Sequence, residues 1–198
     1  MEIDFTINEE KIEEDFQRIA NDLLNNWILK VGNALYRITE IEFYYSGNSH
    51  KDSYIHGHEL QQQKGKWYFH GSGIDITFGD GNTYGGILIR AIYKINKGEE
   101  IYFYGPLNCV QELFVNFPTI FNTEINFGLI PVNEDQIVKE KVICAPRVGL
   151  NSTKNPEMWN KYYRFLVMPK QKHADKTGII EAMKNQDFTE VERNNIWG

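Results

Sequence analysis

Cysteine is scarce in this chain. Its 198 residues hold two, Cys109 and Cys144. They show no C-x-x-C or similar spacing, which excludes a zinc ribbon or a disulfide framework; both are expected as reduced core thiols. Basic charge is also short. Lys and Arg number 21 against 27 Asp and Glu, for a net charge of −6. That balance argues against a surface devoted to nucleic-acid phosphates and leaves room only for a local basic patch. No apolar run reaches the roughly 20 residues needed to span a membrane. Met1-Glu2-Ile3-Asp4 carries neither a basic nor an apolar leader, so the expectation is a soluble, cytoplasmic protein with no membrane partner. Internal repeats, low-complexity tracts and linkers are lacking too, which predicts one domain over 1–198. Aromatic side chains are plentiful, at 14% of the chain. They supply both core and stacking surface.

Periodicity predicts the elements. Ile12, Phe16, Ile19, Leu23 and Trp27 recur at helical spacing over 8–27, with Asn8 as the cap and acidic residues in the first turn. Residues 34–45 are β-branched and aromatic and read as a strand. A polar loop over 46–64 holds His50, His56 and His58. Short strands follow over 67–70 and 74–78, separated by Gly71-Ser72-Gly73, and Gly79-Asp80-Gly81-Asn82 reads as a hairpin-type turn. Further strands are expected over 86–94 and 101–104. Gly105-Pro106 opens a helix over 107–115, with proline at the favoured first position. The 118–140 stretch has no clear period. Strands over 142–148 and 163–168, a turn or short helix over 156–161, a basic exposed connector over 169–176 and a final helix over 176–184 complete the chain. The class is α+β: a curved, mainly antiparallel sheet with flanking helices.

One feature stands out chemically. Arg90 lies inside the apolar run Gly86-Ile87-Leu88-Ile89-Arg90-Ala91-Ile92. A buried guanidinium is costly unless a carboxylate meets it. The strand period of two puts Glu40, Glu42 and Tyr44 on one face of 34–45, which offers that carboxylate. An arginine beside Glu42 would keep it ionised. The pair is then either a structural salt bridge or the general-base half of a glycoside-type hydrolysis.

The same residues resemble a known family. Arg37-Ile38-Thr39-Glu40-Ile41-Glu42-Phe43-Tyr44 is similar to the R-I-V-E-T-E-A-Y segment of the alkyladenine (methylpurine, 3-methyladenine) DNA glycosylases. Other segments agree in order. Ile19-Ala20-Asn21-Asp22-Leu23-Leu24 matches L-A-x-x-L-L, and Asp52-Ser53-Tyr54-Ile55-His56 fits D-x-x-x-H. Gly86–Ile92 resembles V-L-L-R-A-L, and Gly105-Pro106-Leu107-Asn108-Cys109 resembles G-P-x-x-L-C. Arg147-Val148-Gly149 and Arg164-Phe165-Leu166-Val167 match R-V-G and R-F-Y-V. The resemblance covers about 16–168. It implies the glycosylase fold and hydrolysis of the N-glycosidic bond of an alkylated purine in DNA, the opening step of base excision repair, without metal or cofactor. Glu42 would activate the water that attacks C1′, and Arg90 would orient it. Tyr44 and His56 would sandwich the base, His70 would fall at the second stacking tyrosine, and Asp75 would replace the asparagine that gates purine entry.

Two departures bear on the substrate. The family's wedge hairpin, I-I-Y-G-M-Y-F, is about five residues longer than His70-Gly71-Ser72-Gly73. Either His70-Gly71 replaces its Tyr-Gly or no wedge exists, and a missing wedge makes extrusion from a duplex harder. Asp75 favours a donor-rich or cationic base over what a neutral amide would admit. The expected partner is DNA, duplex or single-stranded, or a free nucleoside or nucleotide. Two other classes stay open. One is a non-catalytic nucleobase or nucleotide binder on the same fold. The other is a metal enzyme acting on a small molecule through His56, His58, Glu59 and His70; otherwise these are solvated or base-stacking histidines. Gly105-Pro106 is an ordinary helix start or a phosphate dock. Lys170, Lys172, His173 and Lys176 are a solvated connector or a nucleic-acid contact.

Overall fold

The computed structural model describes residues 2–95, 101–122, 124–133 and 136–198. The first helix, α1 (Ile12–Asn26), follows a 3-10 turn at Glu9–Lys11. The Asn8 side chain accepts from the Glu10 N–H and caps that turn. The expected helix thus appears, but it ends one residue early. Trp27 leaves it and opens a strand that periodicity did not separate from the helix, β1 (Trp27–Val31). Two side chains secure that exit. Asp22 accepts from Asn26 and from the Trp27 indole, and the Arg37 Nε donates to the Leu24 carbonyl that the helix end leaves free.

Gly32 (φ +56°) and Asn33 then form a two-residue turn into β2 (Ala34–Ser46). A Cβ at Gly32 would stand 2.8 Å from the Asn116 carbonyl, so both the turn and the packing require glycine there. The remaining strands are β3 (Lys64–His70), β4 (Gly73–Phe78), β5 (Tyr84–Lys94), β6 (Ile101–Tyr104), β7 (Phe127–Pro131), β8 (Ile143–Ala145) and β9 (Arg164–Leu166). The helices are α2 (Pro106–Val115), α3 (Lys176–Lys184) and α4 (Glu190–Trp197).

The nine strands among the described residues join one antiparallel sheet, six of them in the order β3-β4-β5-β2-β1-β7, with β6 pairing β5, β9 pairing β2 and β8 pairing β9 off that path. Its spine is the long β2–β5 pair. Each spine strand changes partner along its length: β5 pairs β4 over 86–88 and β6 over 91–94, and β2 pairs β1 over 34–36 and β9 over 40–42. Register shifts between Ile38 and Ile41 mark a bulge in β2, which bends and twists the sheet there. The sheet curls until its two ends meet, with Trp67 of β3 4.7 Å from Phe127 of β7. The architecture is therefore a single α+β domain, a curled antiparallel half-barrel with four α-helices among the described residues.

Several expectations need correction. The 142–148 strand shrinks to Ile143–Ala145 and the 163–168 strand to Arg164–Leu166, because β9 has only three residues in register with β2. The stretch without period contains β7, which pairs with β1; Thr123, Glu134 and Asp135 of that stretch lie outside the described residues. Lys176–Lys184 is not the final helix. α4 follows it, capped by Thr189 and Glu192 in a reciprocal capping box. Cys109 and Cys144 are free thiols, the first buried. No helix among the described residues is long and apolar enough to cross a membrane.

The core lies between α1 and the sheet face bearing Ile41, Phe43 and Tyr45. Phe16 is its centre: its ring stacks on Phe43 at 4.4 Å and meets Tyr163 edge-on at 4.9 Å. Replacing such a side chain leaves a cavity that the surrounding core fills only in part. Phe16→Ala is expected to cost about 3–5 kcal/mol of stability in urea unfolding, with the slope of the transition unchanged.

Candidate functional site

The opposite sheet face carries the polar residues. Glu40, Glu42 and Tyr44 project there from β2, and Arg90 of β5 meets both carboxylates. Its Nη1 donates to Glu42 Oε2 at 3.2 Å and its Nε to Glu40 Oε1 at 3.0 Å. Glu42 is fully buried. Its Oε2 also accepts from the Tyr44 hydroxyl at 2.8 Å, and its Oε1 accepts from the Val148 N–H at 2.8 Å. A carboxylate has about four lone-pair positions. Three of these are taken by protein donors.

Glu40 is the second hub. Its Oε1 takes Arg164 Nε at 2.8 Å as well as Arg90, and its Oε2 takes His173 Nδ1 at 2.5 Å. Burial alone would raise the Glu40 carboxyl. The hydrogen bond from His173 and the charges of Arg164, His173 and Arg90 outweigh burial and hold it below its ordinary value. Arg90 shows the same contest. Burial lowers its tendency to hold a proton, but Glu42 and Glu40 more than restore it, so the guanidinium stays charged. His173 corrects the expected exposed connector. Its side chain is 2% exposed and turned into the protein, whereas Lys170, Lys172 and Lys176 remain at the surface.

A cavity of about 260 Å³ opens above this floor. Tyr44, His56, His70, Asp75 and Arg90 all line it, and Glu42 lies directly behind Tyr44, Arg90 and Val148. Every site residue expected from the sequence is therefore at one place. The Tyr44 ring lies under the Arg147 guanidinium, 4.6 Å from its centroid. Burial, then the neighbouring Glu42 charge, push the Tyr44 phenol far up, so its proton stays on the oxygen. Burial and the proximity of His70 push His56 down, which keeps its imidazole neutral. His56 and His70 meet edge to face at 4.4 Å.

Asp75 forms the far wall. His70 Nε2 faces Asp75 Oδ1 at 3.1 Å, and Gln61 Nε2 donates to Asp75 Oδ2 at 3.1 Å. The Ser72 N–H donates to His70 Nδ1, which places the His70 proton on Nε2. Gly86 leaves room for this wall, since a Cβ there would stand 2.6 Å from Asp75 Oδ2.

Sequence reasoning missed the side chains that hold the rim. Asp52 and Arg147, both fully buried, form an ion pair that ties the loop before His56 to the loop before Val148. Arg147 also donates to the Phe43 and Met158 carbonyls. Both residues sit in segments that resemble the family, which was the available signal. Gln61 had no signal beyond residue type, and Glu40, which alternation put on the polar face, had none for its contacts with Arg164 and His173. Of the other loop histidines, His58 is exposed to solvent, its Nδ1 accepting from the Leu60 N–H and its ring stacked on Tyr68 at 4.5 Å, whereas His50 is buried beside Tyr45 and Tyr163. Among the described residues, no group of three or more His, Cys, Asp or Glu has the geometry to hold a metal ion.

No family model matches the chain. A protein of Acanthamoeba polyphaga mimivirus, named only as uncharacterized, is 29% identical over 206 aligned residues. The match covers 85% of this chain and 93% of that protein. The likeness thus spans most of both chains.

The depressed Glu40 carboxyl has a consequence for stability. A group whose folded value lies below its unfolded value contributes stability that is present above the unfolded value and lost as pH falls through the folded one. The melting temperature is therefore expected to fall as pH drops below about 4.5, the ordinary value of this carboxyl. Glu40→Gln should lower stability at neutral pH and flatten part of that acid limb in circular-dichroism melts.

Proposed function

We propose that this protein is an N-glycosylase of the alkyladenine DNA glycosylase type. It hydrolyses the bond between C1′ and a ring nitrogen of a modified purine. The observation that carries this reading is the Glu42 carboxylate: buried, held by Arg90, Tyr44 and Val148, and set directly behind those three residues where they line a cavity shared with His56 and His70.

The chemistry needs no further group. Water forms the new C1′–O bond, the C1′–N bond breaks, and the base leaves with the bonding pair. A cationic alkylated purine thereby departs neutral. Glu42 receives the water proton, and its negative charge stabilises the positive charge that develops on the sugar ring. Arg90 fixes the carboxylate and directs one N–H at it. Tyr44 and the neutral His56 offer flat faces to an electron-poor base.

The surroundings favour a substrate outside a duplex. The β3–β4 turn consists of Gly71 and Ser72 alone, with His70 and Gly73 paired at its base, so it carries no side chain to fill the gap left by an extruded base. The net charge of −6 points the same way. Single strands and free nucleosides avoid both costs.

Base release, measured by chromatography, from alkylated duplex, alkylated single strands and modified nucleosides tests the reading. Wild-type protein is expected to release base from single strands or nucleosides faster than from duplex. Glu42→Gln is expected to reduce release by at least about 100-fold. A folded protein that releases nothing but still binds nucleobases would instead be a binder on the same fold.

A further inference from the structure

We propose that Asp75 makes this cavity selective for a guanine-type edge, a ring N–H beside an exocyclic amino group. The inference rests on the glycosylase reading for the placement of the reacting end, and it names the class of base that enters.

Strand register sets the geometry. Asp75 and Glu42 are both cross-strand partners of Leu88, so the three side chains stand in one row on the same sheet face. With strands about 4.8 Å apart, Asp75 and Glu42 are separated by about 10 Å across Leu88. Leu88 lines the cavity and gives it an apolar floor between two carboxylates. A flat base lying over Leu88 spans the row, with its glycosidic nitrogen toward Glu42 and Arg90 and its opposite edge toward Asp75.

What Asp75 shows that edge follows from its hydrogen bonds. Each of its oxygens takes one donor from the protein, Oδ1 from His70 and Oδ2 from Gln61. Each therefore keeps a lone-pair position, which gives two adjacent acceptors. The two donors cannot readily reverse. The Gln61 carbonyl end is occupied by the His58 N–H, and His70 Nδ1 by the Ser72 N–H. The wall is thus built to accept and not to donate.

Guanine presents two neighbouring donors, N1–H and the 2-amino group, and matches that wall. Hypoxanthine keeps N1–H and lacks the amino group. Adenine places an unprotonated N1 where the wall needs a donor, so two lone pairs would oppose each other.

Calorimetric titration of the wild-type protein with 9-methylguanine, 9-methylhypoxanthine and 9-methyladenine at neutral pH tests the proposal. The expected order is guanine, hypoxanthine, adenine, with each lost contact weakening binding about 10-fold or more. Asp75→Asn turns one acceptor into a donor and should abolish the preference. Gly86→Ala, which crowds the Asp75–Gln61 pair, should weaken guanine binding most. Equal affinities, a preference for adenine, no binding of any of the three, or an undiminished guanine preference in Asp75→Asn would each overturn it. The wild-type series stands even if a variant misfolds. Binding requires no bond cleavage, so the two proposals fail separately. Guanine preference without base release sinks the catalytic reading alone, whereas base release without guanine preference sinks only this one.

Discussion

Arg90 is shared between two buried carboxylates, and much of the molecule is arranged to make that tolerable. A guanidinium and two ionised glutamates under a sheet each carry a desolvation penalty of several kcal/mol. One arginine cannot balance two glutamates. Arg164 and His173 complete the shell of Glu40, and Tyr44 and Val148 that of Glu42. Those partners explain otherwise minor features of the fold. β9 is three residues long, yet it sets Arg164 beside Glu40. The segment after β9 folds inward so that His173 can dock. The loop after β8 leaves the sheet at Ala145 so that Arg147 and Val148 can reach the floor.

The two sheet faces divide the labour. α1 seals the apolar face with stacked and edge-on rings, and this burial offsets the cost of charge on the other side. On the polar face the loops are held by ion pairing, with Asp52 and Arg147 joining two distant segments at the cavity rim. The pair fails badly if halved, because either partner alone is a buried uncompensated charge. It also fixes Tyr44, whose ring lies beneath Arg147.

How much of this was legible depended on the range of the interaction. Alternation placed Glu40, Glu42 and Tyr44 on one face, and the apolar run around Arg90 marked a charge in need of a partner. Both are period-two signals within one strand. β1 was hidden because Trp27 continues the helical spacing of α1, and what ends that helix is a set of side-chain bonds from Asp22 and Arg37 and not a breaker residue. α4 was marked by Thr189 and Glu192 at capping-box spacing, although apolar periodicity there is weak. The Asp52–Arg147 pair and the docking of His173 on Glu40 join residues far apart in sequence, which no local pattern encodes.

A carboxylate held by three protein donors suits one kind of catalysis better than another. A base that must pull hard on a water proton would sit with its lone pairs free. Glu42 has three positions taken by protein donors, and its charge is pinned by Arg90 in a low-dielectric floor. Such a charge does most when the reacting centre itself becomes positive, since the attraction is strong there and needs no reorganisation. Departure of a base from a sugar creates that positive centre at C1′, and the deprotonation of water follows late. The hydrogen bonds that hold Glu42 in place thus suit the proposed reaction, in which the leaving group leads.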